Sequence, residues 1–143
     1  FELIDDFKSA DPSHWKTLLQ GQGEQSAGRI EHKLRTIPAD TRSVIVLTHV
    51  PPFREACWYE GHTTDDLWAP FFVCGEVGRV LLAAAAERPD RKITVLCGHT
   101  HNGGIASLSE NLVVYTGAAD YGEPVVEGIV EVGRESVVVR SAK

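Results

Sequence analysis

Long apolar runs are missing from this sequence. No stretch approaches the ~20 residues that a membrane-spanning helix needs, so a soluble chain without a membrane partner is expected. The opening Phe-Glu-Leu-Ile-Asp-Asp lacks the basic-then-apolar order of a secretory signal. Basic residues are few: 14 Lys and Arg against 20 Asp and Glu leave a net charge of -6, and their scatter offers no stripe to neutralise successive phosphates. Nucleic acid is therefore not an expected partner. Cysteine is scarce too. Cys57, Cys74 and Cys97 are odd in number and show no C-x-x-C spacing, which argues against a disulfide framework or a thiolate zinc site and for reduced thiols in the cytoplasm. No G-x-S-x-G occurs and no cysteine adjoins a histidine, so no nucleophilic triad is legible.

What is present has the composition of one globular domain, or part of one, over residues 1–143, with 43% of residues hydrophobic. The first 25 residues read as a polar connecting segment, with a short helix over 13–19 that Ser13 would cap and turns at Asp11-Pro12-Ser13 and Gly21-Gln22-Gly23. Ala27, Ile30, Leu34 and Ile37 recur at helical spacing and predict an amphipathic helix that Pro38 ends. Val44-Ile45-Val46-Leu47 is a run expected of a strand buried on both faces, and Ile93-Thr94-Val95-Leu96-Cys97 is a second. Between them lie a long loop, 49–70, and an apolar stripe of Val77, Val80, Leu81 and Ala84 that predicts a crossover helix. Strand, helix, strand is a βαβ unit, whose parallel strands end on one edge of the sheet. The tail offers strands at 105–108, 112–116, 125–132 and 136–139, read as an antiparallel β meander closing an α/β fold.

Chemistry gathers at that shared edge. His49 directly follows the first buried run, and Gly98-His99-Thr100-His101 follows the second. Ligands bind at the carboxyl ends of strands in open α/β sheets. Gly98 and Gly103-Gly104 permit the sharp turns that would send His99 and His101 to one side. A single histidine at a strand end is ordinarily just a polar residue. Three at the ends of two adjacent strands suit chelation of a transition metal by neutral imidazole.

Thr48-His49-Val50-Pro51-Pro52 and Cys97-Gly98-His99-Thr100-His101 resemble, in order and in spacing across a βαβ unit, the last two sequence blocks of the calcineurin-like metallophosphoesterases. The resemblance covers residues 44–116. It implies half of a calcineurin-like αββα sandwich and a phosphoric ester hydrolase acting on phosphomonoesters or phosphodiesters. It further implies two metal ions (Mn, Fe or Zn), with His49 and His99 on one and His101 on the other. Two such cations bind the phosphate oxygens and activate a bridging water for in-line attack.

The family's earlier blocks, Asp-x-His, Gly-Asp and Gly-Asn-His followed by Asp or Glu, occur nowhere in this chain. Asp5, Asp6, Asp11 and Asp40 lack the required context. Three imidazoles do not complete two metal shells, since one catalytic zinc alone takes about three protein ligands. The missing ligands would come from an N-terminal half removed from this chain or from another polypeptide. The alternatives are a single-metal site, with a homodimer as one way to complete it, or a non-catalytic module.

In the long loop, His62 is a candidate to contact substrate or donate a proton to the leaving group, against the plainer reading of a solvated histidine. Trp58 and Tyr59, with Trp68, Phe71 and Phe72, are candidates to wall a substrate pocket or to pin the loop to the core. Asp65 and Asp66 read first as a solvated turn, Asp120 and Tyr121 as secondary candidates, and His14 and His32 as surface residues.

Overall fold

The computed structural model describes residues 11–133 and 135–141; Asp5, Asp6 and the opening of the predicted connecting segment lie outside the described residues. Helix α1 spans Trp15–Arg35. Strand β1 (Ser43–Leu47) follows, then the hairpin β2 (Trp58–Tyr59) and β3 (His62–Thr63) and the short helix α2 (Ala69–Phe72). Helix α3 (Gly75–Glu87), β4 (Lys92–Cys97), β5 (Gly104–Ser109), β6 (Leu112–Thr116), β7 (Gly128–Val132) and β8 (Val137–Ser141) complete the order.

Two predicted helices are one. Gly21 and Gly23, read as turn residues, sit inside α1, because packing outweighs the roughly 1 kcal/mol that each glycine costs a helix. Ala27 and Leu34 are buried within the same cluster as Val77, Val80 and Leu81 of α3. Ser13 makes no side-chain cap; its own N–H donates instead to Asp11 Oδ1 at 2.8 Å, in the 3-10 turn that leads into the helix.

The βαβ unit forms as its pattern predicts. Strands β1 and β4 are parallel, pairing Val44 with Ile93 through Leu47 with Leu96. The tail departs from a simple meander. The β5–β6 hairpin folds back so that β6 pairs parallel with β4, giving the order β1-β4-β6-β5, while β7 and β8 form a separate two-stranded hairpin. The fold is thus α/β with a mixed parallel and antiparallel sheet.

Register assigns the faces, since paired residues share a side and alternate ones oppose it. Ile93, Val95, Leu112, Val114, Val46 and Ala106 share one face and join the helices in the buried core. The opposite face carries Ile45, Leu47, Leu96, Tyr115 and Ile105. There Leu47 is 74% and Ile105 59% exposed. The run 44–47 is therefore not buried on both faces: β1 lies at a sheet edge and the helices cover one side only.

Polar groups secure the end of the sheet away from the histidines. Arg91, only 6% exposed, donates to the carbonyls of Thr41 and Pro38. Asn111, in the β5–β6 turn, directs its amide NH2 at the carbonyls of Ala85, Arg88 and Arg91, all within 3.1 Å. One side chain thereby satisfies the end of α3 and the entry to β4. Asn111→Ala is expected to cost about 1–3 kcal/mol by leaving these carbonyls short of donors. Asn111→Asp is expected to cost more, because a carboxylate repels them; urea unfolding of the two variants checks the order.

Candidate metal centre

The parallel ladder continues past the strand ends. Thr48 N–H donates to Leu96 O at 3.0 Å, and Gly98 N–H to His49 O at 3.0 Å. Two more hydrogen bonds beyond Leu47–Leu96 thus bring the segment carrying His49 beside the one carrying His99. The first segment is held from below as well. Pro51 and Pro52 are fully buried, Cys74 N–H donates to Pro51 O at 2.9 Å, and Gly78 of α3 lies so near that a Cβ there would stand 2.2 Å from Pro52 O. Only glycine permits that approach.

The second segment is strained. His99 has φ of 73° and His101 58°, the left-handed region that L-residues seldom occupy. Thr100 N–H donates to Gly98 O at 2.9 Å, closing a three-residue γ-turn on His99 of the uncommon positive-φ kind. Such conformations cost about 1–3 kcal/mol each and persist where surrounding contacts enforce them. Asn102 supplies two of those contacts: its Nδ2 donates to Thr100 O at 3.0 Å, and its Oδ1 accepts from Glu60 N–H at 3.2 Å.

The result is a close histidine pair. His99 Nδ1 lies 3.2 Å from His49 Nε2, with the rings edge to face at 4.9 Å between centroids. Two nitrogens bound to one tetrahedral zinc at about 2.0–2.1 Å stand about 3.3 Å apart, so this separation suits two ligands of a single cation. The same separation suits an N–H of one ring donating to the lone pair of the other, the tautomer deciding which. Burial foremost, then the neighbouring His49, hold the His99 pKa below its ordinary 6.5, which favours the neutral form that metal ligation requires.

His101 takes another direction, its ring 4.5 Å from that of Tyr121. Among the described residues no group of three or more His, Cys, Asp or Glu side chains stands at metal-holding spacing. The structure therefore brings together His49 and His99 of the three predicted ligands and sets His101 two residues along the same loop.

The aromatic candidates of the long loop, Phe71 excepted, meet with His62 in one cleft beside the pair, with a volume of about 580 Å³. Trp58, Tyr59, His62, Trp68 and Phe72 line it, as does Thr100, between the two loop histidines. The loop is not structureless: Trp58–Tyr59 and His62–Thr63 pair across Glu60 and Gly61, both at positive φ, as in a two-residue type I′ hairpin. Asp65 and Asp66 serve the loop rather than a metal. Asp65 Oδ1 accepts the N–H groups of Leu67 and Trp68, and Asp66 pairs with Arg54. His14 and His32 are exposed, as expected. Sequence reasoning missed Asn102, and read Gly104 only as a residue that permits a turn. A Cβ at Gly104 would meet the Trp58 indole at 2.3 Å, so the indole lies directly on that backbone.

The chain matches no family model, no curated protein and no solved structure at a significant level. No helix among the described residues is long and apolar enough to cross a membrane.

The strain predicts an unusual ranking of variants. His99→Gly is expected to be more stable than His99→Ala by about 1–2 kcal/mol, since glycine alone occupies the left-handed region freely. Thermal unfolding checks it. Because folding lowers the His99 pKa, the unfolded chain binds more protons there. That group's contribution to stability is complete above pH 6.5 and declines as pH falls through 6.5 toward the lower folded value. Both variants should flatten this dependence.

Proposed function

We propose that the chain is the histidine-bearing part of a calcineurin-like metallophosphoesterase, a metal-dependent phosphoric ester hydrolase acting on phosphomonoesters or phosphodiesters. The observation that carries the reading is the His49–His99 pair, 3.2 Å apart at the carboxyl ends of two parallel strands. The two motifs that suggested the family thus converge on one point. His49 and His99 hold one cation, and His101 is assigned to a second, its remaining ligands supplied by groups outside the described residues or by a partner chain. A bound Mn, Fe or Zn ion supplies Lewis-acid stabilisation of phosphoryl charge and a lowered pKa for an attacking water.

The protein's own contribution is placement. Two imidazoles on a strained, hydrogen-bonded frame need little reorganisation to ligate, which favours affinity. His62, on the cleft wall, is assigned as the proton donor to the departing alkoxide, and Trp58 and Tyr59 as contacts to the ester's organic part. The apolar sheet face left open by the helices supports the half-sandwich reading, in which a second β layer from the N-terminal half or a second copy packs against it. Three free thiols accord with a cytoplasmic location.

That same open face favours a second reading, a non-catalytic metal-binding or interaction module. Elemental analysis after loading with Mn, Fe or Zn, together with turnover of an aryl phosphate ester, separates the two. The hydrolase reading expects about one or more tightly held ions per chain. It also expects turnover that falls about 100-fold or more in His49→Ala and His99→Ala. Metal held without turnover at any loading leaves the module; no metal at all removes the phosphoesterase reading for the chain by itself.

A further inference from the structure

An aromatic-walled cleft lies beside the histidine pair. At about 580 Å³ it falls within the range of small-molecule sites, about 300–1,000 Å³. Trp58, Tyr59, Trp68 and Phe72 put four aromatic rings on its walls. It is continuous with the pair: the Phe72 ring lies 5.2 Å from that of His99, and the Trp68 ring 6.3 Å from that of Phe72. A chain of rings thus leads from the candidate cation position into the cleft.

The walls are also fixed in place. Arg54 Nε donates to Thr64 O at 2.8 Å and its guanidinium pairs with Asp66, tying both ends of the hairpin together. Asp65 Oδ1 accepts from the N–H groups of Leu67 and Trp68 at 3.0 and 3.1 Å, and Ala69 N–H donates to Asp65 O, setting the approach to α2. The Glu60–Asn102 bond joins the hairpin tip to the histidine loop, and the Trp58 indole rests on the Gly104 backbone. Side chains and loop ordered before binding lower the entropic cost of taking up a flat ligand.

Charge narrows the ligand further. Among the described residues Asp65 is the one carboxylate on the cleft wall and neither Lys nor Arg lines it, so a second phosphate or a carboxylate there would meet Asp65 with only His62 to offset the repulsion. We propose that the cleft is a subsite for an uncharged aromatic ring system of one or two rings, the organic part of the ester whose phosphoryl group sits at His49 and His99. The inference rests on the phosphoesterase reading for the phosphoryl end; ring binding stands on the cleft itself.

The test uses 1-naphthol, which carries no phosphate, titrated against the full chain without metal, and the ratio of kcat/KM for 1-naphthyl phosphate to that for glycerol 2-phosphate with metal. Trp68 is 56% exposed, so Trp68→Ala removes little buried surface, with circular dichroism as the check on folding. Naphthol should bind the wild-type chain, and Trp68→Ala should weaken it about tenfold and lower the aryl-to-alkyl ratio by a similar factor. No naphthol binding, equal binding by the variant, or turnover without aryl preference overturns the proposal while leaving hydrolysis intact. Naphthol binding sensitive to Trp68→Ala, with no turnover at any metal loading, upholds the aromatic subsite and removes the hydrolase instead.

Discussion

The parallel pairing of β1 with β4 is the constraint on which the rest of the structure depends. Parallel strands need a crossover, and here the crossover, α3, also supplies much of the core. Pairing Leu47 with Leu96 fixes the register, and register decides more than packing. It sets Ile93 and Val95 toward the helices. It also delivers His49 O to Gly98 N–H, which places two imidazoles within 3.2 Å. A slip of one residue would turn the apolar set of β4 outward and separate the histidines together. Core and candidate site are enforced by the same hydrogen bonds.

Strain is concentrated where that ladder ends. Two left-handed histidines and a γ-turn within three residues would not persist in an isolated peptide. Contacts from three directions offset them: the Gly98–His49 bond along the sheet, the Asn102 amide across the loop, and the Phe72 ring against His99. The arrangement resembles preorganisation, in which the folded core meets the cost of ligand placement before any ligand arrives.

The sequence exposes some of this well. Two β-branched runs flanking a helical stripe suffice for the βαβ unit, and the positions of His49 and of Gly98 to His101 at the run ends are enough to mark the sheet edge. What escapes it is non-local. Gly21 and Gly23 look like a turn until α3 is present to hold α1. The Val44-Ile45-Val46-Leu47 run looks buried on both faces, because composition does not record that β1 ends the sheet. The meander fails because β6, not β5, takes the place beside β4. Within the site, His101 combines a left-handed backbone torsion with a ring contact to Tyr121, twenty residues away. Asn102 carries no motif, although its two hydrogen bonds hold the loop. The Glu60-Gly61 hairpin was readable, with glycine second in a two-residue turn between Trp-Tyr and His-Thr.

The two faces of the sheet have separate physical roles. The hydrogen bonds that position His49 and His99 come from strand ends, from the Pro51–Pro52 segment on α3, from the loop around Asn102 and from the Phe71 backbone. None comes from the face bearing Leu47, Tyr115 and Ile105. The pair can therefore form as soon as the helix-covered layer folds, because its geometry is a local consequence of that layer's register. Covering the opposite face removes apolar surface from water at about 25 cal/mol per Å², and so adds stability without changing the nitrogen–nitrogen distance. The geometry of the histidine pair and the apolar surface of the open face are thus governed by different parts of the molecule. Substitutions at Leu47 or Ile105 act on the second, and substitutions at Asn102 or Gly98 on the first.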